Sequence, residues 1–264
     1  MRNLTYRSIW ISDIHLGMRD CKADLLIEFL DATESDYLYL VGDIIDLENM
    51  RNGWYWPPSH NIIVHKLINK AKRGTRMSYI PGNHDEALRS LEGGYFGSIA
   101  IAGHVHHETA DGRRLLIIHG DEFDRIIRTN ALLDCVGSAS YELLQIINRG
   151  VNGLRVKMGY PQGSIVSYFK SNLKQAARYI ERFEEVAARE AKRRALDGLV
   201  CGHIHKPALH THDGILYAND GDWVENCSAL VESHDGRLRI IHWLEERERW
   251  DQSSPAVAAS APAI

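Results

Sequence analysis

Short apolar runs alternate with amphipathic helical patterns in the first third of the chain. The apolar runs at 8–12, 37–41 and 77–80 predict buried strands. Between them, residues 22–32 and 61–73 carry apolar side chains at three- and four-residue spacing, which is typical of helices with one buried face. This β-α-β-α-β order predicts a layered α/β fold.

Two further groups of short apolar runs predict more strands. The first group lies within residues 99–118, and the second comprises 198–201, 209–211, 215–219, 229–232 and 238–243. Asp111-Gly112, Asp213-Gly214 and Asp235-Gly236 separate neighbouring runs, and such dipeptides favour tight hairpin turns. Two sheets packed face to face, with helices outside, would accommodate all these strands.

Residues 125–196 read as helical apart from a break at 150–163 that carries Gly and Pro. From Val166 to Ala187 the apolar positions follow strict three-four spacing, which predicts one long helix. We therefore expect a core formed by 1–124 and 197–250 and a helical insertion, or lid, at 125–196. The tail 251–264 is rich in Ser, Ala and Pro and is expected to be disordered.

Composition narrows the classes of protein that fit. The 264 residues are 44% hydrophobic and 25% charged, which is ordinary for a globular protein. The net charge of −4 provides no global basic field, so no nucleic-acid partner is expected. The four cysteines form no Cys-x-x-Cys pair, and neither a signal peptide nor a membrane span is evident. We expect a cytoplasmic protein, with peripheral contact to the inner membrane surface left open.

Five short polar motifs each follow an apolar run. They are Asp13-Ile14-His15, Gly42-Asp43, Gly82-Asn83-His84-Asp85, His119-Gly120-Asp121 and Gly202-His203-Ile204-His205. Loops at the ends of neighbouring strands bring their side chains to one edge of the core. Imidazole, carboxylate and amide groups suit borderline divalent ions. Two four-coordinate ions need about eight contacts, which seven residues can supply if one carboxylate bridges.

With these motifs in this order, the chain resembles the calcineurin-like metallophosphoesterases over roughly residues 10–205, apart from the helical segment. The resemblance implies a four-layer α/β/β/α sandwich and two divalent metal ions, with Mn expected and Zn or Fe as alternatives. It implies a first metal held by Asp13, His15, Asp43 and His205, and a second held by Asp43, Asn83, His119 and His203. It also implies that His84 contacts the phosphate and protonates the leaving group, with Asp85 orienting it.

Within that family the motifs most resemble the UDP-2,3-diacylglucosamine pyrophosphatase group. The resemblance rests on Ser-Asp-Ile-His-Leu-Gly from Ser12, Gly-His-Ile-His-Lys-Pro from Gly202, Gly-Asp-Trp from Gly221 and the helical insertion. The best-known members of the group carry arginine where this chain has His84. Two alternatives therefore stay open: a phospholipase C acting on glycerophospholipids, and a scaffold of the same shape that binds partners without turnover.

Some further residues are candidates for binding the substrate beside the predicted metal site. Lys170 and Lys174 begin a basic stripe on the long helix, and we expect them, together with Asp124, to contact a lipid-linked phosphate substrate. His104-Val105-His106 is a second Gly-His-x-His motif, and its histidines are more readily explained as residues of a strand than as metal ligands. The aromatic run 54–56 is either a packed loop or a lip that touches acyl chains or the bilayer interface.

Overall fold

The computed structural model describes residues 3–133 and 165–253, and the side chains of 3–127 and 176–249. The described residues form twelve strands: β1 (Leu4–Ile11), β2 (Thr33–Val41), β3 (Arg76–Ile80), β4 (Tyr95–Phe96), β5 (Ile99–Ile101), β6 (Val105–Glu108), β7 (Arg114–Ile117), β8 (Gly198–Cys201), β9 (Ala208–His212), β10 (Ile215–Asn219), β11 (Ser228–Glu232) and β12 (Leu238–His242). Seven strands form one sheet in the order β12-β11-β1-β2-β3-β5-β4, and five form a second in the order β6-β7-β8-β10-β9.

The described residues also form six α-helices and one 3-10 helix. They are α1 (Ala23–Ala32), α2 (Leu47–Asn52), α3 (Pro58–Lys72), α4 (Asp121–Leu133), α5 (Ile165–Arg193) and α6 (Trp243–Ser253), with a 3-10 helix at Glu86–Leu91. One core cluster joins α1 and α3 to the first sheet, a second joins α4 and α5 to the second sheet, and a third lies between the sheets. The four-layer α/β/β/α sandwich is therefore confirmed.

Strand periodicity explains how one sheet serves two cores. In β1, Ile9 and Ile11 belong to the cluster under the helices, whereas Trp10 belongs to the cluster between the sheets. Successive side chains of a strand point to opposite faces, so a central strand covered on both faces reads as one continuous apolar run. The parallel pairs β1–β2, β2–β3 and β3–β5 carry this pattern through the sheet.

The three turn dipeptides join antiparallel neighbours, as the sequence predicts. They connect β6 to β7, β9 to β10 and β11 to β12. Asp213 and Gly214 both have positive φ (48° and 79°), which is the backbone of a type I′ turn. The sequence patterns did not predict α2, the 3-10 helix or α6, nor that β11 and β12 extend the first sheet.

The later half of α5 belongs to the outer helical layer. Phe183, Ala187 and Ala191 are buried in the cluster that covers the second sheet. Residues 134–164 of the predicted lid and residues 254–264 of the predicted disordered tail lie outside the described residues, so the division into core and lid stays a prediction. In the described part of the chain, no helix has the length and apolar character that crossing a membrane requires.

A buried polar network ties the two sheets together away from their carboxyl ends. Glu232 of β11, which is fully buried, accepts hydrogen bonds from Arg7 (2.9 Å) and Ser8 (2.6 Å) of β1. The imidazole of His107 on β6 lies 2.9 Å from the same carboxylate and 2.8 Å from the hydroxyl of Tyr39. Burial raises the pKa of Glu232, but His107, Ser8 and the other donors outweigh it and hold the pKa at about 2.

Candidate metal centre

The five motifs converge on the loops that follow β1, β2, β3, β7 and β8. Six of the seven predicted ligands fall into two groups in which the donor atoms lie within 4.8 Å of one another. The groups are Asp13, His15 and His205, and Asp43, His119 and His203. These are the two metal sets implied by the family resemblance, apart from Asn83 and from the shared use of Asp43.

Asp43 lies between the two groups. Its Oδ2 is 3.4 Å from Nε2 of His119 in one group and 4.0 Å from Nε2 of His15 in the other. Its Oδ1 accepts a hydrogen bond of 2.8 Å from the backbone N–H of His84. The second oxygen is thereby left facing both groups, which is the position that a bridging carboxylate requires.

Several buried polar atoms of the predicted ligands make no hydrogen bond. They are Oδ1 of Asp13, Nε2 of His15, Oδ1 of Asn83 and Nε2 of His119, although Nε2 of His205 lies 3.1 Å from the first and Oδ2 of Asp43 lies 3.4 Å from the last. Leaving one such atom unsatisfied costs roughly 1–3 kcal/mol, and a native structure with several in one place needs an explanation. All four are metal-donor atoms, so cations bound among them would remove the cost. The residues present therefore fit a pair of divalent ions.

Backbone strain marks the same positions. Among the described residues, eight that are not glycine have positive φ, and five of them are predicted ligands. Those five are Asp13 (48°), His15 (54°), Asp43 (53°), His203 (69°) and His205 (51°). Each such residue costs about 1–3 kcal/mol unless its surroundings impose the conformation, and such residues cluster at functional sites.

Two of the predicted ligands use their second nitrogen or oxygen in hydrogen bonds to the backbone. Nδ1 of His119 donates to the carbonyl of Val41 at 2.8 Å, and Oδ2 of Asp13 accepts from the backbone N–H of His203 at 2.9 Å. Such contacts fix ligand orientation and the histidine tautomer. A Cβ on Gly42 would lie 2.2 Å from Nδ1 of His119, so the glycine of the Gly-Asp motif lets the imidazole pack against the backbone.

Asp46 is a functional residue that the sequence reasoning missed. Its Oδ2 lies 3.2 Å from Nδ1 of His15 and its Oδ1 lies 3.1 Å from Nδ1 of His84. One buried carboxylate therefore orients a predicted metal ligand and the predicted general acid together. Asp46 also begins α2, where its side chain accepts from the N–H of Asn49 at 2.7 Å. The sequence does contain a signal for this role, because Asp46 follows the predicted ligand Asp43 by three residues and precedes a short helix.

The structure corrects the role predicted for Asp85. Its carboxylate is buried and accepts hydrogen bonds from the backbone N–H groups of Gly82 (2.6 Å) and Ile44 (2.9 Å) and from the hydroxyl of Tyr79. Asp85 therefore braces the loops after β2 and β3, while the imidazole of His84 takes its orientation from Asp46. An adjacent position in sequence does not place two side chains together, because consecutive residues of an extended loop point in different directions.

His84 lies at the open side of the site. Its side chain is 32% exposed, and its Nε2 lies 4.0 Å from Oδ2 of Asp43. Burial lowers the pKa of His84, but Asp46, Asp43 and Glu48 outweigh it and raise the pKa to about 9. An imidazole in this position is protonated at neutral pH and can donate a proton or a hydrogen bond to a phosphate.

The charges of the ligand groups are strongly coupled. Burial raises the pKa of Asp13, yet the neighbouring His205 and His119 hold it at about 2. Burial lowers the pKa of His205, but Asp13 raises it to about 9. A site that concentrates carboxylates and imidazoles in this way favours bound cations, because they replace the protons that the imidazoles would otherwise keep.

The predicted substrate-binding residues have different placements. Asp124 of α4 has its Oδ2 3.3 Å from Nε2 of His203, so it lies beside one ligand group. Lys170 and Lys174 lie on α5, and their side chains fall outside the described residues. His104 and His106 are exposed near the edge of the second sheet, with ring centroids 5.7 Å apart, and join neither ligand group.

The chain is similar to a known protein family, to curated relatives and to solved structures. The family model for calcineurin-like phosphoesterases matches residues 6–207. The UDP-2,3-diacylglucosamine hydrolase of Xanthomonas campestris pv. campestris is 25% identical over 255 residues, covering 87% of this chain and 96% of its own. That of Blochmanniella pennsylvanica is 24% identical over 218 residues, covering 76% and 80%. The solved structure of Yfce, a phosphoesterase from E. coli, is 16% identical with a TM-score of 0.41, covering 89% and 98%.

A sandwich that gathers two Asp/His groups at its strand ends defines a metal-dependent hydrolase of phosphoester or diphosphate bonds. The chain belongs to the calcineurin-like phosphoesterase family. The family, fold class and enzyme class expected from the sequence are thus confirmed.

Proposed function

We propose that this enzyme hydrolyses a pyrophosphate or phosphodiester bond in a lipid-borne substrate, with UDP-2,3-diacylglucosamine as the best candidate. The observation that carries the proposal is the pair of ligand groups on either side of Asp43, with unsatisfied donor atoms in both. The substrate is supported by relatives named UDP-2,3-diacylglucosamine hydrolase and by the shared motifs. Two Mn ions are the expected cofactors.

In this proposal seven residues bind the metal ions and His84 acts as the general acid. Asp43 would bridge the two ions, and Asp13, His15, Asn83, His119, His203 and His205 would complete their coordination. Two such ions would polarise the phosphoryl group and lower the pKa of the attacking water. Asp46 holds Nδ1 of His84, which leaves Nε2 to donate its proton to the departing oxygen.

A groove beside His84 offers space for the polar part of the substrate. It has a volume of about 350 Å³ and is lined by Asn83 and His84, by α2 residues including Arg51, and by Glu86 and Ala87. Its lining includes the charged residues Glu48, Arg51 and Glu86, which favour a polar group there over acyl chains. We propose that the acyl chains lie instead toward the insertion, where Lys170 and Lys174 contact the phosphates and Asp124 helps to position the substrate.

A phospholipase C activity on glycerophospholipids is the second candidate. It is favoured by His84, which stands where the best-known members of the pyrophosphatase group carry arginine. The two substrates differ in the polar group attached to the reacting phosphorus or diphosphate, so the groove beside His84 would bind a phosphorylated alcohol in one case and a nucleotide in the other.

Purified protein loaded with Mn can be assayed against UDP-2,3-diacylglucosamine, phosphatidylcholine and bis(p-nitrophenyl) phosphate. We expect hydrolysis of the first and of the small diester, each abolished in Asp43→Ala together with a loss of bound metal. Turnover of phosphatidylcholine alone among the lipids would establish the second candidate. Full activity with one metal per chain would contradict the dinuclear site, and no hydrolysis of any of the three would favour the scaffold.

A further inference from the structure

Behind the predicted ligand Asp13 lies a hydroxyl that contacts two carboxylates at once. Oγ of Ser12 is 2.5 Å from Oδ2 of Asp13 and 2.6 Å from Oδ1 of Asp220. The carbonyl oxygen of Gly221 is a third, longer contact at 3.1 Å. Ser12, Asp13 and Asp220 are each at most 1% exposed, so the protein itself must satisfy these polar atoms.

Counting protons shows that both carboxyls cannot be ionised. A serine hydroxyl carries one proton and can donate one strong hydrogen bond, while an ionised carboxylate only accepts. If both carboxyls were ionised, one of them would face a lone pair of Ser12 at hydrogen-bond distance, in a place buried from bulk solvent. A second proton therefore lies on one of the two carboxyl groups.

That proton belongs to Asp220. Asp13 is a proposed metal ligand and must be deprotonated to bind an ion, and its Oδ2 also accepts from the backbone N–H of His203 at 2.9 Å. Asp220 has no such need, and its Oδ2 is buried without any hydrogen-bond partner. Burial, aided by the nearby charge of Asp13, raises the pKa of Asp220 well above its usual range.

The backbone holds this arrangement in place. Asp220 follows β10, where its N–H donates to the carbonyl of Cys201 at 3.1 Å and its carbonyl accepts from the hydroxyl of Ser228 at 2.8 Å. A Cβ on Gly202 would lie 2.2 Å from Oγ of Ser12, so the glycine that precedes the ligand His203 is needed for the contact.

We propose that Asp220 is a neutral carboxylic acid that donates to Ser12, so that Ser12 donates to Asp13 and holds Oδ1 of Asp13 toward the metal site. Asp220 is thus a positioning residue, two hydrogen bonds away from the proposed metal ions. The chain of aligned donors strengthens each bond without placing another negative charge beside Asp13 and Asp43. The inference rests on the proposed role of Asp13 as a ligand.

Infrared difference spectroscopy of the Mn-loaded protein tests the protonation state directly. The spectrum of the unaltered protein minus that of Asp220→Asn should contain the carbonyl band of a protonated carboxylic acid at about pH 8, where a free carboxyl is ionised. Asp222→Asn is the matched control. Asp222 is equally buried, but its Oδ1 accepts from the backbone N–H groups of Val224 and Glu225, so its difference spectrum should show carboxylate bands only.

Mn affinity, measured by calorimetry, tests the coupling. Asp220→Asn keeps a neutral donor to Ser12 and should leave the affinity unchanged, whereas Ser12→Ala should weaken it about 10–100-fold, as loss of a residue that orients a ligand typically does. The double variant Ser12→Ala/Asp220→Asn should bind no more weakly than Ser12→Ala alone.

Two results would overturn the proposal. One is a difference spectrum for Asp220→Asn that contains carboxylate bands only. The other is a loss of Mn affinity in Asp220→Asn equal to that in Ser12→Ala. Neither the infrared spectrum nor the Mn affinity depends on turnover. A failure of the proposed function would appear differently, as an Asp43→Ala protein that keeps both metals and its activity.

Discussion

Removal of the Asp46 carboxylate should impair metal binding and proton donation together. Asp46 contacts Nδ1 of both His15 and His84, at 3.2 and 3.1 Å, and also caps α2. Replacement by serine separates these roles, because serine is a good N-cap but offers no charge to the imidazoles. Asp46→Ser should therefore keep the cap of α2 and still lose function.

The magnitude follows from the two contacts. Loss of the residue that orients His15 should weaken metal binding about 10–100-fold, equivalent to roughly 1.4–2.7 kcal/mol. The pKa of His84 is raised to about 9, and the hydrogen bond to Asp46 contributes more to this rise than any other interaction, against the opposing effect of burial. Were the pKa to fall to about 7 in the variant, the protonated share at about pH 8 would drop roughly tenfold.

The assay is the pH profile of kcat for bis(p-nitrophenyl) phosphate at saturating Mn, with Mn affinity measured in parallel. Because a lowered pKa means that His84 loses its proton at lower pH, the alkaline limb should move to lower pH in Asp46→Ser. Glu48→Gln is the control, since that carboxylate is 66% exposed and 3.7 Å from Nδ1 of His84. An unchanged alkaline limb with unchanged Mn affinity would refute the reasoning.

Three further outcomes are expected. His84→Ala should lower kcat by about 10²–10⁴-fold while metal analysis still finds both ions, whereas the exposed His106→Ala should change neither; loss of metal in His84→Ala would mean that His84 is a ligand. Lys170→Glu/Lys174→Glu should raise KM for a lipid phosphate, more strongly at low salt, and spare bis(p-nitrophenyl) phosphate; equal loss on both substrates would contradict the lid. Glu232→Gln should destabilise the fold by about 2–3 kcal/mol at neutral pH in denaturant titrations. Because the folded-state pKa of Glu232 is depressed to about 2, its contribution is present above the unfolded value near 4.5 and disappears as pH falls toward 2, so the two proteins should converge in acid.

The elements that the sequence predicts well are those whose periodicity is local. Predicted strands at 198–201 and 215–219 coincide with β8 and β10, and the stripe from Val166 lies within α5. The pairing of strands that are distant in sequence could not be predicted from local periodicity. β11 adds to β1 in antiparallel register through Ile9 and Val231, and no short-range pattern records a contact across more than two hundred residues.

In the candidate site, the sequence likewise predicted some residues and missed others. Residue type and loop position indicated a metal site, because metal donors have a restricted chemistry. The family resemblance then selected the six histidines and aspartates that gather in two groups. The residues behind them were not found. Asp46 and Asp220 carry no distinctive motif, and the motif that begins at Ser12 does not show which groups its hydroxyl contacts. The roles of all three depend on which atom each one faces once the sheets are packed.

Local strain explains why the site is the most informative part of the chain. Asp43 has a left-handed backbone and a buried carboxylate, and either feature alone would destabilise a structure that had no use for it. At His119 the two ring nitrogens differ sharply: Nδ1 donates to a carbonyl, whereas Nε2 is buried without a hydrogen bond, 3.4 Å from Oδ2 of Asp43. Packing alone gives no reason to orient an imidazole in this way. Bound cations do, because they would use the unsatisfied nitrogen and stabilise the strained loops that present it, so we expect the metal-loaded protein to melt at a higher temperature than the metal-free protein.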